Sequence, residues 1–177
     1  MKTILVGVCG GIASYKAIEI VNALCKKDYD VHVIMTKNAT EFIGPLTFQS
    51  LSHNPVVTDM FNPIDKWDTK HIQLAKKADL FLIVPATANI IGKIACGIAD
   101  DMMTTTIMAT TAPVIIAPAM NTNMWENPIL KDNIHKLSAY GYRVLETEQG
   151  HLACGDIGRG KLLDWQDIIK IVESSLQ

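Results

Sequence analysis

The residue that points first to chemistry is a cysteine in a polar, glycine-rich stretch. Cys154 lies within Gly150-His151-Leu152-Ala153-Cys154-Gly155-Asp156-Ile157-Gly158-Arg159-Gly160, where packing gives no reason for a thiol. Glycine-flanked backbone can fold closely over a ligand, and a thiol held there can donate a proton or attack an electrophile. A spare thiol in a surface turn has the same signature. Cys9, Cys25 and Cys96 sit among apolar neighbours and read as small hydrophobes. A second chemical segment is Pro118-Ala119-Met120-Asn121-Thr122-Asn123-Met124-Trp125. Asparagine amides grip carboxylates, and methionine with tryptophan walls a flat ring. His71 opens the segment that runs to Asp79, where a histidine serves as a general base or as no more than a solvated cap. His32, His53 and His135, in strand, turn or helix contexts, have the weaker claim.

Further segments are small and polar in the way that ligand-holding loops are. Cys9-Gly10-Gly11-Ile12-Ala13-Ser14 offers free amides and a hydroxyl at a helix start, suited to an anion or cofactor. Its spacing is not the G-x-G-x-x-G dinucleotide fingerprint. Thr36-Lys37-Asn38-Ala39-Thr40 reads equally as a ligand loop and as a helix N-cap. Pro85-Ala86-Thr87-Ala88-Asn89 sets a hydroxyl and an amide beside another helix start, fit for a phosphate or the edge of a heteroaromatic ring. Gly97-Ile98-Ala99-Asp100-Asp101 ends one helix and begins the next, so one of its carboxylates is expected to cap.

The glycine, threonine and asparagine loops each follow an apolar run. Strand-like runs occupy residues 3–8, 31–35, 80–84 and 114–117, with a weaker one at 142–145, and they suit buried parallel strands. Helical patterns span 12–26, 88–99, 129–139 and 165–176. The second of these is apolar on nearly all sides, which predicts burial. Residues 42–52 read as a helix around Pro45, 56–58 as a short strand and 62–69 as a loop. Alternating strands and helices predict a three-layer, doubly wound parallel α/β sheet, in a single domain over residues 1–177. Ligands in such a sheet sit beyond the carboxyl ends of the strands.

Composition narrows the partners. Hydrophobic residues make up 49% and charged ones 19% of the 177 residues, a chain with a large core. A net charge of −2 and the lack of any basic run argue against nucleic acid or an anionic membrane as partner. The N-terminus has no signal-peptide pattern, the apolar runs are too short to span a bilayer, and the cysteines match neither a disulfide framework nor a C-x-x-C zinc site. A cytoplasmic protein with reduced thiols and no metal is expected.

Taken in order, Gly10-Gly11-Ile12-Ala13, the His71 segment, Pro85-Ala86-Thr87-Ala88-Asn89, Ala99-Asp100-Asp101, Pro118-Ala119-Met120-Asn121 with Met124-Trp125, and Ala153-Cys154-Gly155 resemble the flavin-dependent cysteine decarboxylases. Within that family the resemblance is to the branch acting on 4′-phosphopantothenoylcysteine in coenzyme A synthesis. It implies a flavodoxin-like Rossmann fold, bound FMN, and a homotrimer or dodecamer of trimers with active sites at subunit contacts. It also implies a carboxy-lyase reaction. The substrate thiol is oxidised to a thioaldehyde, which accepts the electrons released as CO2 leaves, and the ene-thiolate is then reduced and protonated to 4′-phosphopantetheine. A cysteine carboxylate alone has nowhere to put those electrons.

The resemblance assigns His71 as base or orienter for the substrate thiol, Asn121 as holder of the substrate carboxylate and Cys154, flanked by Ala153 and Gly155, as proton donor of the reductive half. Gly11, Ile12, Ala13, Thr36, Thr87, Ala88, Asn89 and Met120 match flavin-contacting positions, Thr87 standing where many members have serine. Lys76 or Lys77 is the expected cation for the substrate phosphate. Because the chain stops at Gln177, it reads as a stand-alone decarboxylase, although a piece cut from a ligase fusion would read the same way. The alternatives are a peptidyl-cysteine decarboxylase of lantibiotic maturation, which needs no reducing-step cysteine, a flavin prenyltransferase, which lacks the Pro-Ala-Met-Asn loop, and a non-catalytic flavin-binding regulatory subunit.

Overall fold

Successive residues of each central strand feed two separate cores. Ile4, Val6 and Val8 point to one, with Leu80, Leu82, Val84, Ile115 and Ala117. Leu5, Phe81, Ile83, Val114 and Ile116 point to the other. Such runs are satisfied by a parallel sheet covered on both faces. The computed structural model describes residues 1–61 and 69–177, so all but the last residue of the loop expected over 62–69 lies outside the described residues.

In chain order, β1 (Thr3–Val8) leads to α1 (Ser14–Lys26), β2 (Asp30–Met35), the single-turn α2 (Lys37–Thr40), α3 (Pro45–Ser52), α4 (Lys70–Lys77) and β3 (Leu80–Ala86). Then come α5 (Ala88–Ala95), α6 (Met102–Ala109), β4 (Val114–Pro118), α7 (Thr122–Trp125), α8 (Pro128–Ala139) and β5 (Arg143–Val144). The strands β6 (Glu148–His151) and β7 (Ile157–Lys161) precede the closing α9 (Trp165–Ser175). The main sheet has the order β2-β1-β3-β4-β5, parallel throughout. That is the flavodoxin-like order, and it reverses direction between β1 and β3, the place where ligands enter such sheets. Helices α1, α3 and α9 cover one face, and α5, α6 and α8 cover the other. Among the described residues, no helix is long and apolar enough to cross a membrane.

Local chemistry sets the ends of these elements. Pro45 starts α3 and Pro128 starts α8, where a missing N–H costs nothing. Asp101 is the expected capping carboxylate. Its Oδ1 accepts from Thr104 N at 2.8 Å and completes a reciprocal capping box on α6. Asp100 instead pairs with Lys93 at 2.7 Å.

Several expectations change. The helix predicted over 88–99 ends at Ala95, because Gly97 turns left-handed at φ +68°. Cys96 is therefore exposed on the helix end and is not a packed hydrophobe. It is apolar on both sides in sequence, but the helix terminus turns it to solvent. The strand expected at 56–58 is a single bridge from Val57 to Ile34, and the one at 142–145 is paired only over Arg143–Val144. Strand β3 runs on through Pro85 to Ala86, past a break in register. Helix α4 and the antiparallel β6–β7 hairpin were not legible as regular elements.

Candidate active site

Beyond β1 the chain crosses close over the start of α2. A Cβ on Gly10 would lie 2.5 Å from Asn38 Cβ and 2.7 Å from its carbonyl carbon, so only glycine fits there. Gly11 faces open space, with Thr87 Cγ2 the nearest atom to a Cβ at 3.9 Å. The backbone amides of Gly11, Ile12 and Ala13 have no acceptor among the described residues, and no side chain caps α1. The Ser14 hydroxyl is buried beside them without a partner among the described residues. Across the switch point, Thr87 Oγ1 accepts from Ile90 N at 3.3 Å and caps α5. Thr36 caps α2 in the same way, accepting from Ala39 N at 3.2 Å.

Beyond β4 a loop and a hairpin are fastened together. Met120 N donates to Gly160 O at 2.9 Å, and Thr122 Oγ1 donates to Arg159 O at 2.8 Å. Gly160 has φ +117°, and a Cβ there would run into the Met120 carbonyl. A Cβ on Gly158 would run into the Thr122 hydroxyl. These glycines let β7 lie directly on the asparagine loop. Past β6 the hairpin closes tightly, Gly155 at φ +91°, with Gly155 N on Leu152 O and Leu152 N on Asp156 O, each at 2.9 Å.

That turn brings three side chains together. Asn121 Nδ2 is 3.4 Å from Cys154 Sγ. One oxygen of Asp156, Oδ2, lies 3.4 Å from the same amide nitrogen and 3.4 Å from the thiol. Asn121 Oδ1 accepts from Asn123 N at 2.8 Å, capping α7. This bond fixes which way round the amide sits, with its N–H donors aimed at the hairpin.

The space between these elements is a cleft of about 740 Å³, the size of a cofactor site. The glycine loop, Thr87, Ala88, Met120, Asn121, Ala153 and Cys154 line it, and Met124 and Trp165 add apolar wall. Two lysines reach it, Lys16 and Lys161. Lys161 is paired with Glu148 at 2.8 Å, which holds its ammonium above the usual lysine range. Lys16 stands 5.1 Å from the Tyr15 ring and has no carboxylate partner among the described residues.

Other expected residues lie elsewhere in the chain. Thr36, Gly155 and the exposed Asn89 do not line the cleft. Neither does His71, in the first turn of α4. Lys77, at the other end of that helix, pairs with Asp30 at the start of β2, so α4 runs antiparallel to the strands. His71 therefore sits at the cleft end of the molecule but does not line the cleft, while Lys76 is near the opposite end and outside it.

The comparison with known proteins decides the family. A family model described as Flavoprotein matches residues 1–177. The chain belongs to the flavoprotein family. It is 52% identical over 171 residues to the coenzyme A biosynthesis bifunctional protein CoaBC of Borreliella burgdorferi, covering 97% of this chain and 44% of that relative. The flavoprotein thus spans under half the length of that bifunctional relative. It is 45% identical over 177 residues to a probable phosphopantothenoylcysteine decarboxylase of Streptococcus mutans serotype c, covering 99% of both chains. Among solved structures it is similar to the FMN-dependent cysteine decarboxylase SpaF, with a TM-score of 0.86 and 30% identity over 100% of this chain and 98% of that one.

The cleft of this flavoprotein fits a flavin nucleotide. The unpartnered amides and the open space at Gly11 suit its phosphate at the start of α1, and Met120, Met124 and Trp165 suit a flat ring. Asp156 is the site residue that sequence reading missed. It sits in the glycine-rich Cys154 stretch, but only the folded turn shows that its carboxylate doubles back onto the thiol.

Proposed function

We propose that this flavoprotein binds FMN and converts 4′-phosphopantothenoylcysteine to 4′-phosphopantetheine with loss of CO2. The observation that carries this reading is the Asn121–Cys154 pair, 3.4 Å apart, on the lip of the flavin-sized cleft. An oriented amide donor and a thiol side by side are what a carboxylate and the carbon it leaves from require. The names of the relatives support the substrate.

Bound FMN supplies reversible two-electron oxidation of the substrate's cysteinyl thiol. Gly11, Ile12, Ala13, Thr87, Ala88 and Met120 hold it. Asn121 Nδ2 donates to the substrate carboxylate and orients the bond that breaks. Once CO2 has gone, Cys154 gives its proton to the carbon left behind. Lys16, the cleft cation with no carboxylate partner among the described residues, meets the substrate phosphate in place of Lys76. His71 takes the thiol proton in the oxidative half, and its position outside the cleft of its own protomer has a neighbouring copy deliver it, in a homo-oligomer.

The lantibiotic-type reaction would use the same flavin and the same asparagine, so Cys154 separates the two. Incubating the FMN-loaded protein with 4′-phosphopantothenoylcysteine should yield 4′-phosphopantetheine by mass. A protein that binds FMN but leaves this substrate intact overturns the proposal. Cys154→Ser should still release CO2 but stop at an ene-thiol product lacking two hydrogens. Full conversion by that variant would remove Cys154 from the mechanism.

A further inference from the structure

We infer that Asp156 competes with the substrate carboxylate for Asn121. The inference rests on the proposed role of Asn121 and deepens it. Asp156 Oδ2 lies 3.4 Å from Asn121 Nδ2 and 3.4 Å from Cys154 Sγ, so a single carboxylate oxygen already engages both groups assigned to the substrate's reacting end. Those are its only side-chain partners among the described residues. No cation neutralises it, since none of the described ion pairs includes Asp156. Its placement is not incidental. Leu152 N holds the Asp156 carbonyl at 2.9 Å, and Gly155 in its left-handed conformation folds the side chain back toward the thiol. The amide cannot turn away, because its oxygen is committed to Asn123 N at 2.8 Å.

The 3.4 Å contact from the Asn121 amide is long for an N–H···O hydrogen bond, though 3.4 Å is ordinary for the larger thiol sulfur, so it is the amide that Asp156 holds loosely and can lose. An arriving carboxylate must take the amide from Asp156 and then sit beside an unneutralised like charge. The product has no carboxylate and meets neither obstacle. Asp156 is therefore a positioning and selectivity residue. It weakens the grip on the carboxylate-bearing ligand relative to the decarboxylated one, so that charge loss as CO2 relieves a repulsion.

The test compares two ligands on FMN-loaded protein by titration calorimetry. One is 4′-phosphopantothenoylserine, which keeps the carboxylate but lacks the thiol that is oxidised, and the other is 4′-phosphopantetheine. Removing a neighbouring like charge at this range is expected to tighten the serine ligand roughly fivefold in Asp156→Asn and Asp156→Ala. Binding of 4′-phosphopantetheine should stay within about twofold of wild type. A purely structural role would move both ligands together, so an equal shift of both, or no shift of the serine ligand, overturns the inference. Asn121→Ala supplies the separate control. It should weaken the serine ligand and spare 4′-phosphopantetheine, and if it does not, the role given to Asn121 fails on its own account.

Discussion

Cys9 and Cys154 are both thiols at the cleft end of the molecule, yet only Cys154 meets solvent. Burial pushes the Cys9 thiol up to about 12, and its sulfur rests 3.8 Å from that of Met103. Thiolate is the reactive form, so Cys9 is chemically silent in the folded protein. Burial raises Cys25 as well. Iodoacetamide followed by peptide mass analysis should label Cys154 and the exposed Cys96 first, Cys25 slowly and Cys9 only after unfolding. Bound 4′-phosphopantetheine should protect Cys154 and leave Cys96 as it was. Rapid labelling of Cys9 in the folded state would contradict its placement. Glycine context singles out Cys154 and residue type singles out the Asn121 loop in the sequence, and the fold brings the two side chains within 3.4 Å. Asp156 was not legible in the sequence, because its partnership depends on one positive φ at Gly155, which sequence spacing does not reveal. Cys96 misled for the opposite reason, since apolar neighbours in sequence do not make a buried helix end.

At the level of elements, two contacts bear most on the site and the frame. The hairpin is seated by Gly160, where a side chain would meet the Met120 carbonyl and φ is +117°. Gly160→Ala should cost about 2 kcal/mol and most of the turnover. Gly141→Ala, also at positive φ but in open space, should cost about half as much and leave turnover intact. Thermal unfolding and product formation check both. At the far end of the sheet, Asp30 links β2 to α4 through Lys77 at 2.7 Å and to Asn54 at 3.1 Å. Burial pushes its carboxyl up, but hydrogen bonds from Lys77, Asn54 and His32 outweigh this and hold it at about 2. A folded-state value below the unfolded one of about 3.9 gives stability that is present above that pH and lost as pH falls toward ~2. Urea titrations should show Asp30→Asn less stable than wild type by roughly 2 kcal/mol at neutral pH, with the gap closing between about pH 4 and 2. A gap unchanged across that range would mean that the charge on Asp30 contributes nothing to stability. Strands β1 to β4 were readable because each is a nearly unbroken apolar run. Helix α4 was not, being short, rich in lysine and buried only at Ala75, and the hairpin carries no strand-like alternation.

At the scale of the whole molecule, the role proposed for His71 raises a question of position. Within one chain it lies on α4 and does not line the cleft that holds Asn121 and Cys154. The surface also exposes large apolar side chains, among them Phe42, Leu46, Ile98 and Met108, which contact between copies would cover. Both facts are accounted for if copies of the chain pack with His71 of one facing the cleft of the next, in a trimer or a larger shell of trimers. Light scattering should then give a mass that is a multiple of three chains. The sharper experiment mixes defects. His71→Asn and Asn121→Ala should each abolish product formation when expressed alone. When they are co-expressed, a site that takes Asn121 from the first variant and His71 from the second is intact, and random assembly makes roughly a quarter of the sites of that kind. Recovery of about that fraction of wild-type turnover places the two residues on different copies. If they act within one copy, every site carries a defect and no mixture recovers, whatever the oligomer's size.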